Sequence, residues 1–573
     1  MRIRSTERFG DLPASRVSST SANLGDITIR DSEIIVGEDK TVEFYSKNGS
    51  SNVNIGSIGS TGFRPAVVTD STLPTPEAGG EGLMLYNTTS KTYGVWDGTS
   101  WESDNQLTAI ASDVLPTGHT VVINPNGTVG LAVPISLGTP VPYSGANAST
   151  AMAATFDSNS NRVVIAYNDA STLDHGYAVV GTVSGTSITF GTPILFDNTA
   201  VEYISATFDS NSNNVVIAYK DTITTFGNAI VGTVSGTTIS FGTPVQFESA
   251  RSDHISATFD SNSNKVVIAY TDYTNGQLGT AIVGTVLGTA ISFGTAVLFD
   301  NTRTNAISTS FDSNSNKVVI AYSDLDNTNY GTAVVGTVVG DVISFGPPSV
   351  FESTNTATIY SVFESALNKV VIAYQGNFAV NAHGNAVVGT VSGTSISFGT
   401  PNKFNLAITV VAGIAYDSDS ETVVISYRDG GNSAYGTAIT GSVSGTSISY
   451  GTPLVFNSDS TSPGGDATIF DSTANKVVIS YKDGVTNVGE TVVLQAAWNP
   501  LTNDNFLGFS NNNYATGSTA NIQTVGSVNN DQIGLTSGRK YYVQLDGTIG
   551  VTPASPSVYA GLALSDTKIL VKG

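Results

Sequence analysis

One phrase, repeated at a near-constant interval, constrains this chain more than any other feature. A single copy reads Ile255-Ser-Ala-Thr-Phe-Asp-Ser-Asn-Ser-Asn-Lys-Val-Val-Ile-Ala-Tyr270. Its aromatic-acid marker recurs at Phe156, Phe208, Phe259, Phe311, Phe363, Tyr416 and Phe470, in steps of 52, 51, 52, 52, 53 and 54 residues. A fixed period of this length marks copies of one supersecondary unit that bury a shared core. Each copy holds four strand-like runs: a (Ile-Ser-Ala-Thr-Phe), b (Lys-Val-Val-Ile-Ala-Tyr), c (Gly-Thr-Ala-Val-Val-Gly-Thr-Val) and d (Ser-Ile-Ser-Phe-Gly-Thr-Pro-x-x-Phe). Asp-Ser-Asn-Ser-Asn and Ser-Gly-Thr supply tight turns between a and b and between c and d. Strand b is apolar almost throughout, as a strand buried on both faces must be. The Gly inside strand c (Gly181, Gly232, Gly284, Gly336, Gly389, Gly441) points to close approach of a neighbouring sheet.

Four strands in each of seven copies predict an all-β fold, a seven-bladed β-propeller. The ends of the array support a closed ring. The last copy runs through a, b and c and then breaks at Ala497-Trp-Asn-Pro500, without a d strand. An orphan d strand, Ser136-Leu-Gly-Thr-Pro-Val-Pro-Tyr143, stands before the first a strand. Placed in the last blade, it would close the ring and remove two open sheet edges. A linear solenoid or a β-helix would need no such exchange.

Composition fits this reading. Among 573 residues, 59 are Gly and only 12% are charged, a mixture suited to strands joined by turns. Lys and Arg number 24 against 46 Asp and Glu, a net charge of −22 that opposes binding to phosphate backbones. There is no Cys, hence no disulfide, thiolate metal site or Cys nucleophile. No apolar run approaches a membrane span, and the first residues, Met1-Arg-Ile-Arg-Ser, lack the apolar stretch of a secretory signal.

In an antiparallel blade the a–b and c–d turns share one side of the disc, and the b–c and d–a connections share the other. The first pair hardly changes between copies. The second pair varies in length and content, as in 168–175, 220–226, 375–383 and 428–435, and again in 197–203, 248–254 and 457–465. Variation on one side of a rigid scaffold is what a binding face requires. Candidate ligand contacts on it are Asp174, Tyr203, Arg251, Asp253, His254, Tyr273 and Phe378. Arg251, Asp253 and His254 form the one local cluster with the look of a site.

Other signals read as architecture. His175 and His383 occupy one repeat position, filled elsewhere by Phe226, Leu278, Tyr330, Tyr435 and Val488, so packing explains them. Asp157/Asn159/Asn161 and its copies resemble the start of a Ca²⁺ loop, but no Gly follows and the twelfth position is Asn168, Lys220, Thr271 or Ser323 instead of Glu. An Asx-type turn accounts for the spacing, and no metal or cofactor is expected. The acid closing strand b (Asp169, Asp221, Asp272, Asp324, Asp429, Asp483) recurs, whereas a catalytic carboxylate should be singular. No nucleophile elbow or phosphate loop is present. The expectation is a binding or structural protein, with a glycan depolymerase as the enzymatic rival.

The flanks carry a resemblance. Gly82-Leu-Met-Leu-Tyr-Asn-Thr-Thr-Ser-Lys-Thr-Tyr-Gly-Val-Trp-Asp-Gly-Thr-Ser-Trp101 is similar to a phrase found in bacteriophage tail fibres and other appendages. Its Trp96 and Trp101 read as core residues of a small module. Residues 505–509, 534–547 and 560–571 resemble a β module that ends virion proteins of marine, cyanophage-like viruses, and 116–128 and the repeats resemble the same proteins. The resemblance implies a virion protein, assembled in the host cytoplasm and mounted on a tail or other surface appendage. Short strand-like runs, a Pro/Gly-rich joint at 73–80 and the bounds of the repeats divide the chain into an attachment segment (1–62), a small β module (63–130), the propeller (131–499) and a C-terminal β module (500–573). The resemblance implies a tail fibre or receptor-binding adhesin that contacts other virion proteins through its N-terminal region. Its partner would be a host-surface glycan or protein. No nucleic acid or membrane is expected, and phage fibres imply a homo-oligomer, commonly a trimer. The alternative within the same family is a non-adhesive head decoration or tail ornament.

Overall fold

The computed structural model describes residues 27–572 apart from segments 31–32, 37–40, 49–50, 60–61, 69–83, 88–91, 97–100, 104–105, 113, 124–126, 132–134, 147, 377–381, 463–466, 497–500, 502–504, 545–547 and 554–556. Side chains are described from residue 106 onward, except those of 146–150. The chain divides into two compact parts, Ile135–Trp498 and the two flanks together.

The first part is an all-β, propeller-type fold. Repeat 3 shows how it is built: Lys265–Asp272 is strand b and pairs antiparallel with strand c, Leu278–Leu287. Strand d comes in two pieces on the outer edge of c, Ala290–Phe293 and the start of Val297–Asp312. In repeat 3 Gly294-Thr-Ala296 separates the two pieces, where most other repeats carry Gly-Thr-Pro. Among the described residues the pairings make seven such repeats, with b strands at Arg162–Asp169, Asn214–Asp221, Lys265–Asp272, Lys317–Asp324, Lys369–Gly376, Thr422–Asp429 and Lys476–Lys482. Both faces of b are covered: Val266 to Tyr270 are all inaccessible to solvent. Each such Val or Ile contributes about 1.5–3 kcal/mol of burial.

The d–a connections differ from the loops that the sequence suggested. In four of them a single strand of 16 residues runs from one repeat into the next: Ile194–Asp209, Val245–Asp260, Val297–Asp312 and Ser349–Glu364. The first half pairs with strand c of its own repeat, the second half with strand b of the next, so hydrogen bonding never lapses. A bulge near the middle places Tyr203, His254, Ala306 and Thr358 at φ of 50°, 52°, 48° and 43°. Only Gly adopts that region freely, so the bulge is held against local strain. The b–c turn leans on this crossover: Val201, Ser252, Thr304, Thr356, Thr409 and Thr461 donate their N–H groups to Asp174, Thr225, Gln277, Asn329, Ala382 and Ala434.

Neighbouring repeats meet at a recurring joint. A β-carbon on Gly191, Gly242, Gly294, Gly346 or Gly399 would lie 1.8–2.0 Å from a backbone oxygen of the next repeat. This, and not the Gly of strand c, is the close approach between sheets. Gly181 and its copies instead make room for Ile188 and Phe190 of their own repeat. The d-strand Phe packs on the b-strand Tyr of the next repeat, as Phe196 does on Tyr219 at 5.2 Å between ring centroids.

The joint between the last and first repeats obeys the same rules. Ser136–Leu137 and Val141–Ala146 pair with strand c of repeat 7, Val488–Gln495. A β-carbon on Gly138 would lie 1.7 Å from the Thr186 oxygen, and Tyr143 packs on Tyr167 at 5.1 Å. One apolar cluster joins Val163, Ile165 and Val179 to Ala467, Val478 and Val493. The ring therefore closes non-covalently, through the orphan strand.

In the other part, strands of both flanks share a sheet. Thr120–Ile123 pairs with Phe506–Ser510, and Gln106–Ile110 with Thr519–Gln523. The sequence divided these stretches between two modules. A second sheet holds Lys540–Val543, Val558–Ala563 and Ile569–Val571. Met84–Asn87, Thr92–Trp96 and Trp101–Ser103 form an antiparallel ladder with Trp96 opposite Trp101.

Candidate functional site

Most acids of the repeats are engaged by the fold. Asp157 accepts from the N–H groups of Asn159 and Ser160 at 2.9 and 3.0 Å, and Asp209, Asp260 and Asp312 repeat the pattern. These are Asx turns, completed by Asn161, Asn213, Asn264 and Asn316 at φ 55°. The acids closing strand b do the same for the b–c turn, as Asp169 does for the Ser171 N–H at 2.8 Å. Those after the d-strand Phe accept from a buried Tyr: Tyr219 to Asp197 at 2.6 Å, Tyr374 to Glu352 at 2.9 Å, and Tyr322 to Asp300. Burial, reinforced by the hydrogen bond to Asp197, pushes the Tyr219 phenol far above its usual value.

One joint departs from this economy. Between repeats 2 and 3, Lys220 Nζ lies 2.9 Å from Glu202 Oε2 and 3.0 Å from Asp253 Oδ1. Arg251 donates from Nε and Nη2 to Asp253 Oδ2 at 3.0 and 2.6 Å. The inner members of this chain, Lys220 and Asp253, are 8% and 1% exposed; the outer members, Glu202 and Arg251, are 53% and 49% exposed. Aromatic rings enclose it. The Arg251 guanidinium sits 4.0 Å over Tyr273, Lys220 lies 4.9 Å from the Tyr203 ring, and Tyr203 meets His254 at 5.1 Å. Among the described residues no other ion pair has both partners so deeply buried.

Charge states follow from this packing. Burial pushes the Asp253 carboxyl up, but hydrogen bonds from Arg251 and Lys220 outweigh it and hold the group below the usual range. Burial likewise opposes the charge on Lys220, and its bonds to Glu202 and Asp253 raise it nonetheless. Burial lowers His254; Asp253 pulls it up, while Lys220 and Arg251 add to the fall. The Tyr203 phenol is raised, chiefly by burial.

Of the residues singled out in the sequence, Tyr203, Arg251, Asp253, His254 and Tyr273 come together here. Asp174 lies elsewhere, in the b–c turn of repeat 1, where its backbone oxygen holds Val201. Phe378 lies outside the described residues. Sequence reasoning missed Glu202 and Lys220. The position gave only a weak signal: Lys220 stands where four repeats have Asn168, Thr271, Ser323 or Gln375, but repeats 6 and 7 also carry a cation there, Arg428 and Lys482. His175 and His383 open strand c opposite Asp169 and Gly376, each half-buried.

No protein-family profile and no curated protein matches the chain in sequence. Solved structures resemble it in fold. One is the BP39L lectin from Burkholderia pseudomallei, 13% identical, covering 61% of this chain and 97% of the lectin at a TM-score of 0.47. Another is the β-propeller domain of Cps50 (Swd1) from Myceliophteria thermophila, 5% identical, covering 62% and 98% at a TM-score of 0.41.

Proposed function

We propose that this chain is a recognition module, a non-enzymatic propeller that binds a surface glycan or protein on its b–c and crossover side. One observation carries the reading: on a repetitive scaffold whose carboxylates serve turns and tyrosines, a single joint gathers four charged and three aromatic side chains that the fold does not need. The copies of this joint close without them. The finer reading is a phage tail-fibre adhesin, mounted through residues 1–62 and the flanking β strands and working as an oligomer. It draws support from the flanking phrases that resemble phage appendages.

The test is adsorption. Exchanging the segments 220–226 and 248–254 for their repeat 4 counterparts should abolish binding of the purified full chain to host cells while its melting transition survives. Undiminished binding would overturn the reading. Electron microscopy of labelled particles addresses the finer one: a distal tail position favours the adhesin, and a head position excludes it.

A further inference from the structure

The charged joint has two tiers, and the outer tier points to a ligand. Lys220 and Asp253 are buried and satisfy each other. Their outer partners are held in place from below yet keep unused hydrogen-bonding capacity. Lys220 occupies Oε2 of Glu202, and Oε1 makes no hydrogen bond among the described residues. Asp253 occupies Nε and Nη2 of Arg251, and Nη1 makes none. Three contacts of 2.9, 3.0 and 2.6 Å link the two groups, so their separation is fixed before any ligand arrives. Beside them the Tyr273 ring lies 4.0 Å from the guanidinium, and Tyr203 is held by its strained bulge. The joint thus presents a fixed donor and a fixed acceptor on crossover strands, with Tyr203 on the same strand as Glu202 and Tyr273 in the adjoining b–c turn.

Resting on the recognition reading above, we propose that this joint binds a neutral pyranose, with Arg251 and Glu202 gripping a pair of neighbouring hydroxyls. A sugar hydroxyl both donates and accepts, so one of the pair accepts from Nη1 and the other donates to Oε1. Hydrogen bonds to charged partners are the stronger kind, and the aromatic rings accommodate the apolar C–H face of the ring. The charge balance selects a neutral ligand. Two cations and two carboxylates cancel within the cluster, and the open Oε1 repels an acidic sugar at contact. The chain's net −22 disfavours anions at long range.

The test is saturation-transfer NMR on the full chain, with methyl glycosides of glucose, galactose, mannose and fucose as neutral probes and glucuronate and sialic acid as anionic ones. At least one neutral probe should bind. Glu202→Gln and Tyr273→Ala should each weaken it tenfold or more, and Arg303→Ala, at the neighbouring joint, should leave it unchanged. Arg251→Lys, which keeps the charge but loses the fork, should weaken it as well. Binding of anionic probes alone, or binding unaltered by Glu202→Gln, overturns the proposal. If no probe binds while the chain still adsorbs to cells, the ligand class fails and the recognition reading stands. If adsorption is also absent, the recognition reading fails with it.

Discussion

Arg251 and Arg303 occupy the same place in successive repeats, yet they do different things. Arg251 turns inward to the buried Asp253 and lies over Tyr273. Arg303 turns outward to Asp326 at 2.8 Å, with both side chains about half exposed. The backbone beneath them is the same: a 16-residue crossover, the same pairing with strand b, and a bulge at φ 52° or 48°. What differs is the set of residues around it. Asn305 and Ala306 replace Asp253 and His254, and Thr271 replaces Lys220. A surface pair such as Arg303–Asp326 adds little stability. The buried chain at the other joint must satisfy every member, because an unpaired buried charge is costly. The scaffold therefore sets where side chains can meet, and a few substitutions decide whether they form a site.

The largest effect should come from breaking the buried chain. Lys220→Met leaves Asp253 buried with only its Arg251 side intact and should cost about 3 kcal/mol. Thr271→Val, at the equivalent place one repeat on, removes a 3.0 Å hydrogen bond to the Thr304 oxygen and should cost about 1 kcal/mol. Urea denaturation of the two variants compares the joints directly. The pair Lys220→Thr with Asp253→Asn copies the neighbour and should recover most of the loss. Equal losses for the two single changes would erase the distinction.

How far the sequence reached follows the same division between local and distant contacts. Strands b and c and their turns were legible because each repeat states its own hydrogen-bonding partners within a few residues, and the closing strand because it repeats the d phrase that the last copy lacks. Val266 to Tyr270 could be placed from their unbroken apolar run and the flanking turn residues alone. The crossovers were misjudged as loops because Asp197 to Tyr203 look polar and irregular. Their extended form is imposed by strands c and b on either side. Strand Thr120–Ile123 gave no hint of its partner Phe506–Ser510, which lies beyond the far end of the repeat array. In the site, Arg251, Asp253 and His254 were visible as near neighbours in sequence. Lys220 was not, since it reaches Asp253 across a joint, 33 residues away.

A middle-sized effect tests the claim that the two joints share one backbone. A β-carbon at Gly242 would meet the Thr289 oxygen at 2.0 Å, and one at Gly294 the Asp341 oxygen at 1.9 Å. Backbone cannot step aside as a side-chain tip can, so both Gly242→Ala and Gly294→Ala must spread their joints. Each should cost about 2 kcal/mol, and by the same amount. Gly451→Ala is the control, since there only the Thr440 hydroxyl lies within 3 Å. Unequal costs at Gly242 and Gly294, read from thermal melts, would mean that the charged cluster also alters the backbone.

The smallest effect is a pH dependence that one joint has and the other lacks. His254 sits at the strained bulge with its protonation disfavoured, first by burial and further by Lys220 and Arg251, against the pull of Asp253. Its folded-state value lies below the unfolded value of about 6.5. As pH falls below about 6.5 the unfolded chain takes up a proton that the folded chain refuses, so stability declines until His254 protonates in the folded state too. Asp253 acts in a separate window. Its folded value is depressed, so its contribution is complete above about pH 4 and is lost as pH falls through that folded value. His254→Asn keeps a residue that tolerates the left-handed bulge while removing the imidazole. The melting temperature of the unaltered chain should drop more between pH 7.5 and 5.5 than that of His254→Asn. Ala306→Gly, at the neighbouring joint, should leave the drop unaltered. Parallel pH profiles for the unaltered chain and His254→Asn would show that His254 exchanges protons freely, and the tight enclosure of the imidazole by Tyr203 and the charged chain would have to be abandoned.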